Sequence, residues 1–117
     1  MGILSSLFPP STTAAAAHEA VERREAVILD VRERHEWKAG HAPGARNIPL
    51  STLAARTGEL DADRRYIAVC RSGSRSRSAT AQLRRAGYDV VNLKGGMSAW
   101  ERSGLPLEPR RSRGRRK

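Results

Sequence analysis

Cysteine, aromatic residues and long hydrophobic runs are scarce in this sequence of 117 residues, and each scarcity excludes a class of protein. The single cysteine, Cys70, cannot form an internal disulfide, so a reduced thiol in the cytoplasm is expected rather than a secreted disulfide scaffold. No run approaches the roughly 18 apolar residues of a membrane span, so no membrane association is predicted. With five aromatic residues (two Trp, two Tyr and one Phe), the core must be built mainly from aliphatic side chains.

Motifs for metal and nucleotide binding are also missing. His18 and His35 each precede a glutamate, but neither is followed by a second histidine four residues on, and one cysteine cannot build a thiolate metal site. The sequence has neither a Gly-x-x-x-x-Gly-Lys phosphate loop nor a Gly-x-Ser-x-Gly elbow. We therefore expect no metal and no cofactor.

Acidic residues are outnumbered, since 12 Asp and Glu stand against 22 Lys and Arg for a net charge of +10. Residues 110–117 hold six of the basic residues and no acid, so residues 1–109, with 16 basic and 12 acidic side chains, have a net charge of only +4. We predict an N-terminal extension over residues 1–12, one domain over residues 13–107, and a disordered basic tail over residues 108–117. Such a tail is usually a solvated end that contacts polyanions weakly. A monomer is expected.

Apolar runs alternate with helical patterns along the predicted domain. Continuous apolar runs predict buried strands over residues 26–31, 66–69 and 90–93, with a short strand over 47–50. Helical periodicity predicts helices over about residues 13–24, 33–38, 51–57, 75–86 and 97–103, with Gly87 as a C-terminal cap. Alternating strands and helices indicate an α/β fold, with a mostly parallel central sheet of four or five strands covered by helices on both faces.

Cys70 follows a predicted strand, and catalytic sites in parallel sheets lie at the carboxyl ends of strands. The loop after it leads directly into a helix, so the N–H groups of the loop and of the first helical turn lack partners and converge on one spot. That spot favours a thiolate, because converging donors and the helix dipole lower a cysteine pKa from about 8.5. We therefore predict Cys70 as a nucleophile, surrounded by the loop residues Arg71, Ser72, Gly73, Ser74, Arg75 and Ser76.

Two simpler interpretations of this segment compete with a nucleophilic role for Cys70. A lone cysteine is often an inert buried side chain, and an Arg/Ser run is often a disordered tract. The flanking strand and helix patterns argue against both. A cysteine phosphatase or arsenate reductase stays open as another chemistry, but those loops follow a Cys-x5-Arg pattern, whereas Cys70 and Arg75 are spaced as Cys-x4-Arg. A loop one residue shorter should form a tighter cradle, suited to sulfur.

The chain resembles the single-domain rhodaneses, a family of sulfurtransferases with a three-layer fold. Four segments carry the resemblance in the family's order: Asp30-Val31-Arg32, Gly40 to Pro49, Cys70 to Ser76, and Gly95-Gly96-Met97-Ser98-Ala99-Trp100. The resemblance implies a thiosulfate sulfurtransferase that works without a cofactor. The Cys70 thiolate would take the outer sulfur of a donor such as thiosulfate, hold it as a persulfide, and pass it to cyanide or to a cellular thiol on a small molecule or a protein. A non-catalytic binding or regulatory module of the same fold is the alternative.

The resemblance and the loop chemistry together suggest roles for the remaining residues. Arg71 and Arg75 are predicted to hold the sulfonate oxygens of the donor, since a planar guanidinium offers several donors to such oxygens. Asp30, Arg32 and His41 are predicted to support the loop by orienting nearby backbone. Trp37 and Trp100 are assigned to packing in the core or at its rim.

Overall fold

A computed structural model describes residues 9–109, and they form a three-layer α/β domain around a five-stranded parallel sheet. The strand order is β1-β5-β4-β2-β3, with every neighbouring pair parallel. This confirms the predicted fold class. The strands are β1 (Ser11–Thr12), β2 (Val27–Asp30), β3 (Arg46–Asn47), β4 (Arg65–Val69) and β5 (Asp89–Leu93).

Helices cover both faces of the sheet, as the continuous apolar strands require. They are α1 (Ala14–Glu22), α2 (Arg34–Ala39), α3 (Leu50–Arg56), α4 (Ser74–Arg85) and α5 (Gly96–Arg102), and a 3₁₀ turn (Thr57–Glu59) follows α3. The buried Trp100 and Met97 of α5 pack with Ala17 of α1 on one face, and Leu53 of α3 packs with Leu83 of α4 on the other.

The strand at one edge of the sheet, β1, is a feature that the sequence did not reveal. Its two residues pair with β5, and backbone N–H groups of Asn92 and Lys94 donate to the carbonyls of Pro10 and Thr12 on either side. A polar pair this short has no hydrophobic pattern to detect. The sheet therefore begins at Ser11, inside the segment predicted as an N-terminal extension.

The predicted strand over residues 47–50 is wrong in its bounds, because β3 ends at Asn47 and α3 already begins at Leu50. The N–H groups of Ile48 and Leu50 still donate to the carbonyls of Asp30 and Val31, so the backbone follows β2 up to the residue at which α3 begins. Pro49 then caps α3, with extended backbone at its N-terminus.

Gly87 ends α4 as predicted, in the left-handed conformation with φ of 96°. Its N–H donates to the carbonyl of Arg84, and the N–H of Tyr88 donates to that of Leu83, which is the Schellman pattern. Leu83 and Tyr88 belong to the same core cluster. This turn fixes the direction in which β5 returns to the sheet.

The structure describes only the first two residues of the predicted C-terminal tail. Glu108, the first residue of the predicted tail, pairs with His41 in an isolated antiparallel bridge. The proposed polyanion contact falls on residues 110–117, which lie outside the described residues. Within residues 9–109, no helix is long and apolar enough to cross a membrane.

Candidate active site

The Cys70 thiol lies in the core immediately after β4 and is 1% exposed. Three hydrogen-bond donors face its sulfur. The backbone N–H of Gly73 lies 3.1 Å from Sγ, the N–H of Ser76 lies 3.3 Å away, and the Ser76 hydroxyl oxygen lies 3.4 Å away. Gly73 and Ser76 are the cap and the third residue of α4, so the first turn of this helix surrounds the sulfur.

These donors favour the ionised form of the thiol. Burial on its own raises the pKa of Cys70, but hydrogen bonds from the Ser76 hydroxyl and from the N–H groups of Ser76, Gly73 and Ser72 outweigh it and lower the pKa below the ordinary value. Their charge-assisted hydrogen bonds form only with the thiolate. The neutral donors at the helix start therefore favour the thiolate, which is the form in which a cysteine acts as a nucleophile.

The start of α5 supports the loop from behind. The N–H groups of Met97 and Ser98, which lack partners within their own helix, donate to the carbonyls of Cys70 and Arg71 at 2.8 and 3.0 Å. Gly96 allows this contact, because a Cβ at that position would overlap the carbonyl oxygen of Cys70. With two carbonyls held against α5, the loop N–H groups face the sulfur.

Asp30 and Arg32 form a buried ion pair at the carboxyl end of the neighbouring strand. The guanidinium of Arg32 donates to both carboxylate oxygens of Asp30, at 2.7 to 3.1 Å, and to the carbonyl of Gly40 at 2.8 Å. The side-chain amide of Asn47 donates to the carbonyls of both residues. Because Asp30 pairs with Val69 across the sheet, this network lies beside the strand end that carries Cys70. Every bond in it ends on a backbone or side-chain group of the scaffold, and the supporting role of Asp30 and Arg32 stays a prediction.

The two loop arginines each meet a carboxylate. Arg75 donates to both oxygens of Glu36 at 2.8 and 3.1 Å, and Arg71 lies 3.4 Å from a carboxylate oxygen of Glu101. The hydrogen bond from Arg75 is the main cause that lowers the pKa of Glu36 to about 2. Both arginines therefore lie at the loop, as predicted, but each already has an anionic partner.

His41 lies in the loop after α2, and its ring binds a backbone carbonyl. Its Nδ1 is 2.7 Å from the carbonyl oxygen of Trp37, which can only accept, so Nδ1 carries a proton. The ring stacks on the Trp37 indole at 3.9 Å between centroids, and Nε2 faces the carboxylate of Glu108 at 3.8 Å. These contacts fix the loop of residues 40–45 against α2 and Glu108.

The remaining loop residues complete the wall of the site. Ser72 and Ser74 are exposed, and Ser74 is the first residue of α4. Thr80 donates its hydroxyl to the carbonyl of Ser76 at 2.8 Å, one turn further along the helix. Among residues 9–109, no three His, Cys, Asp or Glu side chains group closely enough to hold a metal ion.

Glu36 and Gly96 are site residues to which the sequence interpretation assigned no role. Glu33 and Glu36 form a capping box at the start of α2, and their spacing of three is a recognisable signal for that cap. No sequence signal links Glu36 to Arg75, since 39 residues separate them. The role of Gly96 depends on a contact between α5 and the loop that only the fold creates.

Comparison with known proteins gives a consistent result. The family model for the rhodanese-like domain matches residues 13–103. A sulfurtransferase from Allochromatium vinosum is 38% identical over 87 residues, which cover 74% of this chain and 81% of that protein. An HTH-type transcriptional regulator from Mycobacterium tuberculosis is 42% identical over 95 residues, but the match spans 77% of this chain and only 42% of the regulator. The crystal structure of a rhodanese-related protein from Thermoplasma volcanium superposes with a TM-score of 0.80 at 33% identity, covering 84% of this chain and 96% of that one.

Proposed function

This chain belongs to the rhodanese-like domain family, and on that premise we propose that it is a sulfurtransferase that carries a sulfane sulfur on Cys70. The observation that carries the proposal is the set of three donors aimed at the Cys70 sulfur, which lowers the pKa of the thiol despite its burial. The similarity to a protein named sulfurtransferase, over most of both chains, supports the same reaction class. A single reduced cysteine also suits the cytoplasm, where thiols stay reduced.

In the first half-reaction, the Cys70 thiolate attacks the outer sulfur of a donor such as thiosulfate. The Sγ–S bond forms while the donor's own S–S bond breaks, and the electron pair of that bond leaves with sulfite. No oxidant or reductant is needed, because the charge of the thiolate passes to the terminal sulfur of the persulfide. The backbone N–H groups of residues 71–76 would surround this anion, and the departing oxyanion would share the Arg71 and Arg75 guanidiniums with Glu101 and Glu36.

In the second half-reaction, a nucleophilic acceptor removes the sulfur. Cyanide attacks the terminal sulfur of the persulfide, thiocyanate leaves, and the Cys70 thiolate is restored to its three donors. A thiolate acceptor gives a new persulfide in the same way. Because the enzyme alternates between two covalent states, initial rates should follow ping-pong kinetics.

Intact-mass spectrometry tests the intermediate directly. Incubation of the protein with thiosulfate should add one sulfur, about 32 Da, and cyanide should then remove it with release of one thiocyanate. Cys70→Ser is the matched control, since it replaces only the sulfur atom. An unchanged mass for the wild-type protein, or an increase that survives in Cys70→Ser, refutes the proposal.

A regulatory module is the second candidate, and the similarity to a transcriptional regulator favours considering it. Such a module would accept sulfur on Cys70 without passing it on repeatedly. Thiocyanate production over time distinguishes the two functions. Many thiocyanates per protein molecule indicate an enzyme, whereas a single stoichiometric release indicates a module that records the presence of sulfane sulfur.

A further inference from the structure

Glu36 and Arg75 form an ion pair at the loop that follows Cys70. Arg75 is the second residue of α4 and directly precedes Ser76, whose N–H and hydroxyl both face the Cys70 sulfur. Its guanidinium is bound end-on by the Glu36 carboxylate through two hydrogen bonds of 2.8 and 3.1 Å. A cation beside the nucleophile is thus joined to an anion.

Glu36 is itself fixed in place, so the pairing is not a chance contact of two long side chains. Its Oε1 accepts the backbone N–H of Glu33 at 2.9 Å in the cap of α2, while Oε1 and Oε2 accept from Arg75. The side chains of Arg75 and Glu36 are 37% and 26% exposed, which leaves the pair open to an approaching solute. The pKa of Glu36, lowered to about 2 chiefly by the hydrogen bond from Arg75, keeps it ionised at any ordinary pH.

An anionic donor therefore meets a neutral pair where a free arginine would have been. It must either share the guanidinium with Glu36 or approach the Glu36 carboxylate as a like charge, and both penalties grow with the charge of the donor. Arg71 offers no simple replacement, since it is paired with Glu101 at 3.4 Å. The hydrogen bonds that lower the pKa of the Cys70 thiol come from backbone and hydroxyl groups, and Arg75 adds only a Coulombic attraction to the thiolate.

We propose that Glu36 is a specificity-determining residue that, by neutralising Arg75, favours singly charged sulfane donors over doubly charged thiosulfate. The inference rests on the proposed sulfurtransferase function. It identifies the preferred donor class as monoanions with a transferable outer sulfur, such as the hydropersulfide of a small thiol. Thiosulfate would then be a convenient donor rather than the best one.

Thiosulfate and methanethiosulfonate form a suitable pair of probes, because both carry a terminal sulfur on a sulfonyl group and they differ by one negative charge. In both cases the Cys70 Sγ–S bond forms as the donor's S–S bond breaks, and the electron pair leaves with sulfite or with methanesulfinate. The rate of loading of Cys70 by each probe can be followed by quenched intact-mass spectrometry at low ionic strength. The ratio of the two rates cancels general effects of a mutation on the thiol.

Glu36→Gln removes the charge while keeping the shape and the acceptor for Glu33. We expect the rate ratio of thiosulfate to methanethiosulfonate to rise about 1.5- to 5-fold, the range that corresponds to a solvent-exposed ion pair. Glu36→Asp should restore the ratio towards the wild-type value. Glu19→Gln is the matched control, since it removes the same charge from an exposed pair with Arg23 on α1 and should leave the ratio unchanged.

An unchanged ratio in Glu36→Gln overturns the proposal, as does an equal rise in Glu19→Gln. Alkylation of Cys70 provides a second readout that needs no sulfur transfer. Iodoacetate and iodoacetamide are close in size and differ in charge, so Glu36→Gln should raise the rate with iodoacetate relative to iodoacetamide. If neither donor loads the wild-type protein, the sulfurtransferase function fails, and the alkylation ratio still decides whether Glu36 controls access by charge.

Discussion

Replacement of Gly96 by alanine tests whether α5 holds the loop after Cys70 in position. Gly96 has φ of 58°, and its Cα lies against the backbone that follows Cys70. An added Cβ would overlap the carbonyl oxygen of Cys70 and lie 2.6 Å from that of Arg71. Both oxygens belong to the backbone, so no side chain can turn away to make room, and the loop itself must move.

The expected loss of stability follows from two contributions. A left-handed conformation at a residue other than glycine costs about 1–2 kcal/mol. Displacement of the loop weakens the bonds from the N–H groups of Met97 and Ser98 to its carbonyls, or else strains the packing, which costs about a further 1–3 kcal/mol. We therefore expect Gly96→Ala to lower the free energy of unfolding by about 2–5 kcal/mol.

Gly104→Ala is the control that separates these contributions. Gly104 has φ of 69°, but nothing lies within 4 Å of its Cβ position, so it should show only the conformational cost of about 1–2 kcal/mol. Urea unfolding measures the two free energies, and iodoacetamide alkylation at pH 7 measures the thiolate. Alkylation should slow in Gly96→Ala, because a displaced loop withdraws donors from the Cys70 sulfur. Equal destabilisation of the two variants, with unchanged alkylation, would refute the assigned role of Gly96.

Two further predictions concern the thiolate and the buried ion pair. Ser76→Ala should raise the pKa of Cys70, seen as a shift of the alkylation midpoint to higher pH, whereas Ser78→Ala on the exposed side of α4 should not, and coincident midpoints for the two variants would contradict this. Because the folded pKa of Cys70 lies below the unfolded one, the stability lost in Ser76→Ala should grow as the pH rises above the folded pKa, in addition to a pH-independent loss of the Ser76 bond to the Gly73 carbonyl. Arg32→Gln leaves the buried carboxylate of Asp30 unpaired and should lower the free energy of urea unfolding by about 3–5 kcal/mol. Arg65→Gln breaks an exposed pair and should lower it by less than about 1 kcal/mol, so similar losses in the two variants would be evidence against the structural importance of the buried pair.

Much of the fold could be predicted because the strands that form its centre are apolar for several residues in succession. β2, β4 and β5 lie within a residue of their predicted bounds. β1 could not be predicted, since Ser11 and Thr12 join the sheet through backbone hydrogen bonds that leave no trace in side-chain hydrophobicity. Short edge strands of this kind are specified by the sheet that receives them.

The candidate site likewise has a part that the sequence could predict and a part that it could not. The interactions at the Cys70 sulfur come from residues three and six positions further along the chain, so the order of strand, loop and helix was enough to predict a stabilised thiolate. The state of Arg75 depends on Glu36, which arrives from α2 at a separation of 39 residues. A sequence that shows an arginine in the loop shows a cation, but only the folded chain shows that its charge is already matched.

The difference between local donors at Cys70 and a distant partner for Arg75 has a functional consequence. A thiolate stabilised chiefly by hydrogen bonds from neighbouring backbone and hydroxyl groups depends less on the charge of Glu36 than an approaching anion does, so a substitution at Glu36 should alter the choice of donor more than the reactivity of Cys70. Selectivity for donor charge and reactivity of the thiolate are then separable properties of one loop. A Glu36 variant that changed the alkylation rate with neutral iodoacetamide as much as the donor ratio would show that the two properties are coupled after all.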